Sequence, residues 1–470
     1  MQSTRQLERN AVSGFESTLI AISSASPANG FATNTVPIIL AVGLSGPGAL
    51  LFGALPMFGI ALAYFYLNAW RSDAGAAYSW VGRTLNPTLG FFAGWSLLVA
   101  IVLFMVIGSL PVASATLYKF APHLATNVVA VTAVGVGWFI IVVAIVLLGI
   151  KATAEVQKAL TIVQIGALLL IAALALAKGL HAPASHVAWS WFNPIGDRGF
   201  TSFWAGALVT IFYFWGWDIS SNLTEETVDR NRTPGLSGIA GMLVILGLFV
   251  LTQICVQLVM TPKQVSDASS NLLVAYMQAA VPQTWGAGAG LLAVLVIIIA
   301  TVAVLEISLV QGARTMFSMG RDRVLDERFA RLHERYLTPW NATFVLSIIT
   351  VLLFAFAALK PSVNQILNDT VRAIGILIAI YYGLSGIACA LYYRGASGGD
   401  KTLWWLRIFW PVASALFVFA VAIAQLLTAG WRADASVVGL LLLGVLPWWW
   451  YRRRYHSDFY TQPLERAAHL

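Results

Sequence analysis

Charged residues are scarce in this chain of 470 residues. Only 10% are Asp, Glu, Lys or Arg, whereas 59% are hydrophobic. A soluble domain usually carries about a quarter charged residues, so this chain has too few to cover a surface that faces water. The scarcity excludes a soluble protein and predicts an integral membrane protein.

Cysteine and histidine are also rare, with two and six residues. Cys255 and Cys389 lie within apolar runs, where we interpret them as buried, inert thiols. The histidines all fall between the runs or in the tail, so the sequence predicts no metal site. A membrane-embedded enzyme is disfavoured because it would need His with Asp or Glu inside the spans. The Gly-rich Lys-Ser/Thr loop that binds ATP is absent too, so no cofactor is predicted.

Long apolar runs, in contrast, are abundant. A run of about 20 residues can cross a bilayer as a helix, and the alternating pattern of a membrane β-barrel is absent. The sequence therefore predicts an all-α bundle of about twelve transmembrane helices. The runs are 15–42, 47–69, 88–117, 125–149, 157–178, 203–227, 236–260, 288–319, 341–359, 366–393, 403–428 and 435–451.

Lys and Arg are unevenly distributed among the connections. If the N-terminus is inside, 21 of the 28 basic residues fall on the cytoplasmic side, as membrane insertion favours. This bias predicts that both termini are cytoplasmic, in a multi-pass protein of the plasma membrane, that is, a bacterial inner membrane. The topology accounts for the net charge of +8, which is no indication of a nucleic-acid partner. Residues 1–10 lack the pattern of a cleavable signal peptide.

Two of the runs are interrupted near their middle. The first contains Ser-Ala-Ser-Pro-Ala-Asn-Gly at 24–30, and the sixth contains Trp-Gly-Trp-Asp-Ile-Ser-Ser-Asn at 215–222. A bilayer offers no water to loose backbone groups, so unwound chain at that depth must line a protein-walled cavity. Breaks at corresponding points of two halves predict the binding site of a transporter.

The two interrupted runs each open a set of five spans, which predicts a five-plus-five inverted repeat followed by two peripheral helices. We therefore divide the chain into five parts. They are a cytoplasmic tail (1–14), a first repeat (15–180), a second repeat (181–393), a peripheral pair (394–455) and a second cytoplasmic tail (456–470).

Several segments resemble the amino acid–polyamine–organocation (APC) superfamily. Residues 313–323 and 338–342 are similar to that family's loop between helices eight and nine, and residues 72–78 and 85–95 to its pattern between helices two and three. Gly-Trp-Asp at 216–218, Glu-Glu at 225–226 and Asn-Arg-Thr-Pro at 231–234 resemble its sixth helix and exit loop. Ser-Pro in the first break resembles one subgroup of amino acid permeases. The resemblance implies a LeuT-like fold with helices one and six broken.

The resemblance also implies where a substrate binds. The candidates are Ser24, Ser26, Pro27, Ala28, Asn29 and Gly30 in the first break, and Tyr213, Trp215, Gly216, Trp217 and Asp218 in the second. Free N–H groups after the first break would receive a carboxylate. The alternative is a simple proline kink repaired by serine hydroxyls. Asp218 could attract an ammonium group, carry a proton or bind loose backbone.

Glu306 is an unusual acid near the midpoint of the eighth span. The resemblance places it where helix eight faces helices one and five. We hypothesise that it binds the coupling proton, with Gln164 and Ser308 close by and Asp218 as a further candidate. Gln164 stands where some proton-coupled members carry a lysine. The alternatives are a permanent salt bridge between Glu306 and Arg314, and a sodium site.

Four charged residues are candidates for a cytoplasmic gate: Glu16, Glu225, Glu226 and Arg314. Taken together, these features predict a secondary transporter that imports or exchanges an amino acid or a related amine by alternating access. Its partners would be that small solute, the lipid bilayer and a proton or, as an alternative, sodium. Further alternatives on the same fold are a polyamine, purine or organic-acid permease, whereas the short tail disfavours a transport-like sensor.

Overall fold

The computed structural model describes residues 6–195, 199–268, 271–396, 400–428 and 431–467. These residues form helices, turns and short irregular stretches, and the β-type pairing among them is one isolated bridge between Val12 and Thr227. The predicted all-α class is therefore confirmed. The helices are α1 (Gly14–Ser24), α2 (Pro27–Val42), α3 (Gly46–Trp70), α4 (Ala77–Thr84), α5 (Pro87–Phe120), α6 (Val128–Leu147), α7 (Ile150–His181), α8 (Phe200–Tyr213), α9 (Ile219–Asn222), α10 (Thr233–Val259), α11 (Pro262–Asp267), α12 (Leu272–Ala280), α13 (Gly286–Arg321), α14 (Trp340–Ala357), α15 (Val363–Tyr393), α16 (Lys401–Trp404), α17 (Trp410–Thr428), α18 (Trp431–Leu443) and α19 (Val445–Tyr455).

Nine stretches of the described residues are long and apolar enough to cross a membrane. The first of them, Gly14–Trp70, contains two of the predicted spans because α1, α2 and α3 follow one another closely. The sixth predicted span is divided, and its apolar part is the shorter helix Phe200–Tyr213. The twelfth is divided at Gly444, between α18 and α19.

Both predicted breaks are present. Helix α1 ends at Ser24 and α2 begins at Pro27, because proline cannot continue a helix but suits a first helical position. Ser26 between them has a φ of 45°. Helix α8 ends at Tyr213 and α9 begins at Ile219. The turn between them depends on Gly216, whose φ of +113° is a conformation that a β-carbon disfavours.

The long helix α13 passes through the centre of the bundle. It has 36 residues, and every residue from 300 to 320 is buried. It packs against α5, α7 and α14, and it also contacts α1, α2 and α9, which flank the two breaks. Side chains of α13 therefore reach both broken helices.

Candidate functional site

The two breaks contact each other directly. The Ser24 hydroxyl donates a hydrogen bond to the Gly216 carbonyl, with an oxygen–oxygen distance of 2.7 Å. A β-carbon on Gly216 would lie 2.5 Å from the Ser24 carbonyl oxygen, closer than packed atoms approach. Glycine is therefore required at this point for the two unwound segments to meet.

The first turn of α2 is open at its N-terminal end. The Ser26 side chain caps none of its N–H groups and instead donates to the Ala300 carbonyl of α13 at 3.2 Å. Pro27 has no N–H, so the first N–H groups of this 16-residue helix belong to Ala28 and Asn29, which are buried and precede the hydrogen bond from the Gly30 N–H to the Ser26 carbonyl at 2.7 Å. The Oδ1 atom of Asn29 has no hydrogen-bond partner in the described part of the chain.

Aromatic residues of the second break are fixed by hydrogen bonds. The hydroxyls of Tyr213 and Thr35 lie 2.8 Å apart, which connects the end of α8 to α2. The Trp215 indole N–H donates to the Tyr381 hydroxyl of α15 at 2.5 Å. Both aromatic side chains of this segment are therefore oriented by helices across the bundle and are buried, at 2% and 7% exposure.

Trp217 and Asp218 both contact the same residue of α15, Tyr382. Trp217 stacks on Tyr382, with ring centroids 5.7 Å apart, and its indole N–H has no partner among the described residues. The Tyr382 hydroxyl donates to Asp218 Oδ1 at 2.7 Å, and the Gln311 amide of α13 donates to Oδ2 at 2.9 Å. Asp218 thus connects the second break to α13 and α15, which favours a structural bond among its three proposed roles.

Glu306 is fully buried on α13 and has a different neighbour from the one predicted. The amide of Gln157 on α7 donates to Glu306 Oε2 at 2.7 Å. Ser308 donates to the Val304 carbonyl within its own helix, and neither amide atom of Gln164 has a partner among the described residues. Neither Gln164 nor Ser308 is therefore hydrogen-bonded to Glu306, and Gln157 is the residue of α7 whose amide reaches its carboxyl.

Arg314 forms a salt bridge with Glu226 and not with Glu306. Its Nε and one terminal nitrogen each lie 3.0 Å from a Glu226 carboxylate oxygen, and both side chains are 1% exposed. The alternative of a Glu306–Arg314 salt bridge is therefore wrong. A paired contact between planar groups fixes the orientation as well as the distance. The bridge joins the segment after α9 to the C-terminal part of α13.

We use the term basic face for the end of the bundle formed by residues 71–86, 225–232 and 314–323. Arg321 donates twice to Glu225 at 2.8 Å and lies 3.3 Å from Asp73. Burial alone would raise the pKa of the Asp73 carboxyl. Arg321 and the Ser318 hydroxyl outweigh that effect, and the pKa falls to about 2. Glu16, also a gate candidate, mainly caps α1 through Ser13 and lies 3.9 Å from Lys158.

The sequence matches the family model described as amino acid permease over residues 12–445. That range covers almost the whole chain. The chain belongs to the amino acid permease family. It is consequently a membrane transporter and not an enzyme, and the predicted resemblance is confirmed.

Several curated transporters are similar to this permease. The branched-chain amino acid permease BcaP of Lactococcus lactis is 26% identical over 411 residues, covering 81% of this chain and 82% of the relative. The methylthioribose transporter of Bacillus subtilis is 25% identical over 71% of this chain and 72% of its own length. The low-affinity putrescine importer PlaP of Escherichia coli is 24% identical, with 80% of both chains covered.

Several residues of this permease's site were not predicted. Gln157 precedes Gln164 by seven residues, or about two helical turns, so both lie on one face of α7. That spacing was the signal that could have identified it. Tyr381, Tyr382 and Gln311 had no comparable signal, because each occurs in an ordinary helical pattern. The described residues contain no group of three or more His, Cys, Asp or Glu side chains that could hold a metal.

Proposed function

We propose that this permease is a secondary active transporter of an amino acid or a related amine, and that it works by alternating access in a bacterial plasma membrane. The observation that carries the proposal is the direct contact between the two breaks at Ser24 and Gly216. Unwound helices that meet inside a membrane protein are where transporters bind their solutes. Small movements of either broken helix would alter the site and its access together.

The chemistry of the breaks supports a zwitterionic or amine-bearing solute. The N-terminus of α2 supplies N–H groups and partial positive charge, which suit a carboxylate. Among the described residues, Asn29 Oδ1 is a buried acceptor without a partner, and the Trp217 indole is a buried donor without one. Buried polar atoms are costly when unpaired, so ligand groups of opposite hydrogen-bonding character would stabilise both.

The proposed energy source is a proton gradient acting on Glu306. This carboxyl is buried in α13, receives one side-chain hydrogen bond and has no ion-pair partner in the described residues. An ionised carboxylate without a cation is costly inside a membrane protein. Binding of a proton removes that charge. Sodium, the alternative, would place a cation at the same carboxylate.

The relatives divide on the solute. Branched-chain amino acids and putrescine each carry an amine, whereas methylthioribose does not. A thermal-shift measurement on the purified permease separates these classes, because a ligand at about 100 times its Kd stabilises the folded state by about 2.7 kcal/mol. We expect stabilisation by leucine or another amino acid, or by putrescine. Stabilisation by methylthioribose or nucleobases alone would overturn the proposed solute class.

Uptake into proteoliposomes tests the coupling ion. We expect an inward proton gradient to drive uptake and a sodium gradient at constant pH to drive none. Glu306→Gln should abolish the pH dependence while exchange of solute persists. The matched control is Glu155→Gln, since this acid on α7 is largely exposed and pairs with Lys158. Proton-driven uptake that survives in Glu306→Gln would remove Glu306 from the proposal.

A further inference from the structure

Gln157 joins three helices through one buried carboxamide. Its Oε1 accepts a hydrogen bond from the Ser23 hydroxyl of α1 at 2.5 Å. Its Nε2 donates both to the Ala303 carbonyl and to Glu306 Oε2 of α13, each at 2.7 Å. The orientation of the amide follows from chemistry, because the Ala303 carbonyl can only accept. All of the hydrogen atoms on Nε2 are therefore engaged.

Ser23 is the position where this network reaches the first break. It is the second-last residue of α1, directly before Ser24, which contacts Gly216. Ser23 and Gln157 are both fully buried, so water does not compete for their hydrogen bond. A chain of two side chains thus extends from the Glu306 carboxyl to the end of the broken helix.

The charged groups around Glu306 are occupied elsewhere. Arg314 on α13 is paired with Glu226. Asp218, in the turn before α9, is hydrogen-bonded to Tyr382 and Gln311. The other titratable or charged groups on α13 and on the elements packed against it are Arg321 on α13, Glu16 on α1, Lys151, Glu155, Lys158, Lys178 and His181 on α7, Tyr118 and Lys119 on α5, Tyr276 on α12, Tyr78 and Arg83 on α4, and Glu327 and Arg328 near residue 330. Helices α6 and α14 carry none.

Glu306 Oε1 has no hydrogen-bond partner in the described chain. Thr153, one turn before Gln157, also faces the carboxyl, but its hydroxyl has no hydrogen bond of good geometry to a described residue. Gln157 is therefore the side chain that holds this carboxyl in place.

We propose that Gln157 is a positioning residue that transmits the protonation state of Glu306 to helix α1. The inference rests on the proposed function, in which Glu306 binds the coupling proton. A hydrogen bond to an ionised carboxylate is about twice as strong as one between neutral groups. The ionised carboxylate therefore holds the Gln157 amide, and with it Ser23, in the observed position. Protonation weakens that hold and releases the end of α1 to move.

The test is the pH profile of uptake by Gln157→Met in proteoliposomes. Methionine has a similar length but no amide, so the ionised carboxylate loses its donor. Loss of a hydrogen bond to a charged group is about a tenfold effect or more, and it disfavours the ionised form. We expect the pH of half-maximal uptake to rise by about one unit or more. The same substitution in a Glu306→Gln background should leave the exchange of solute independent of pH, as in Glu306→Gln alone.

The control is Gln257→Met, which removes a buried glutamine on α10 that bonds to the Leu44 carbonyl. We expect its half-maximal pH to match that of the wild type. A second variant, Ser23→Ala, keeps the bond from Gln157 to Glu306. It should retain the half-maximal pH and reduce the difference in uptake between low and high pH.

The outcomes separate the two proposals. Wild-type uptake that does not depend on pH would refute proton coupling itself. If the wild type depends on pH and Glu306→Gln abolishes the dependence, the proposed function stands. The role of Gln157 is then refuted if Gln157→Met shifts the half-maximal pH no more than Gln257→Met does, or if Ser23→Ala leaves the whole profile unchanged.

Discussion

Gly216→Ala tests the contact between the two broken helices. Gly216 has a φ of +113°, and a β-carbon there would lie 2.5 Å from the Ser24 carbonyl oxygen and 2.8 Å from its carbon. Backbone atoms cannot rotate away as the end of a side chain can. The substitution must therefore either distort the turn at Gly216 or separate the two breaks.

The magnitude follows from these two effects. A residue with a side chain in a sparsely populated backbone conformation costs about 1–3 kcal/mol. Overpacking against a fixed neighbour costs about 1–3 kcal/mol more. We therefore expect Gly216→Ala to destabilise the permease by about 2–6 kcal/mol. Ser24→Ala removes the hydroxyl that donates to the Gly216 and Ala21 carbonyls, without adding bulk at the contact, and should cost about 1 kcal/mol.

The assays are thermal unfolding in detergent and solute uptake in proteoliposomes. Gly247→Ala is the matched control, because Gly247 lies in α10 and no described atom outside its own helical turn comes within 4 Å of its would-be β-carbon. Alanine is favoured over glycine in a helix by up to about 1 kcal/mol, so this control should be neutral or stabilising. We expect Gly216→Ala to lower the melting temperature most and to reduce uptake. Wild-type stability and uptake in Gly216→Ala would show that the breaks do not meet as described.

Three further changes test the basic face and the segment 457–467 that packs against it at Tyr78. Arg314→Met leaves Glu226 buried without its partner and should cost about 3–5 kcal/mol, most of it regained when Glu226→Gln is added; a larger loss in the double variant would contradict this. Phe459→Ala removes a ring that is 3% exposed and stacks on Tyr78 at 4.9 Å, so limited proteolysis should cut the segment 457–467 faster. The pKa of Asp73 is lowered to about 2, below its usual value near 3.9. Its contribution to the free energy of unfolding is therefore complete above about pH 4 and is lost as the pH falls towards 2. Asp73→Asn should cost about 2 kcal/mol at pH 7 and show a flatter loss of stability in acid.

The helices and the two breaks could be predicted because their causes are local. Apolar runs of membrane length determine the helices, and Pro27 and Gly216 interrupt them through their own backbone properties. The alternative of a simple kink repaired by serine describes only part of the first break. The Ser24 hydroxyl does donate to the Ala21 carbonyl of its own helix, but it also donates to the Gly216 carbonyl of the second break, and Ser26 donates to the Ala300 carbonyl of α13. Knowledge of the partner helices was needed to see this.

The partners of the buried charged residues depend on how helices cross, which a helical pattern does not contain. Gln157 and Gln164 share one face of α7 but are separated by about 10 Å along its axis. The position of α7 along α13, which the sequence of neither helix contains, decides which amide meets Glu306. Glu226 and Glu306 were likewise two possible partners for Arg314. The position of the segment after α9 brings Glu226 into contact with it.

The two central acids differ in how they would respond to loss of charge. Asp218 receives hydrogen bonds on both oxygens, from Tyr382 and Gln311, whereas Glu306 receives one. An asparagine at 218 keeps one acceptor for two donors, so Asp218→Asn must rearrange a contact at a cost of about 1–3 kcal/mol. A glutamine at 306 keeps the acceptor that Gln157 needs, so Glu306→Gln should retain near-wild-type thermal stability. Equal destabilisation by both variants would mean that Glu306 is held by contacts as extensive as those of Asp218, and would weaken its assignment as the site where a proton arrives and leaves.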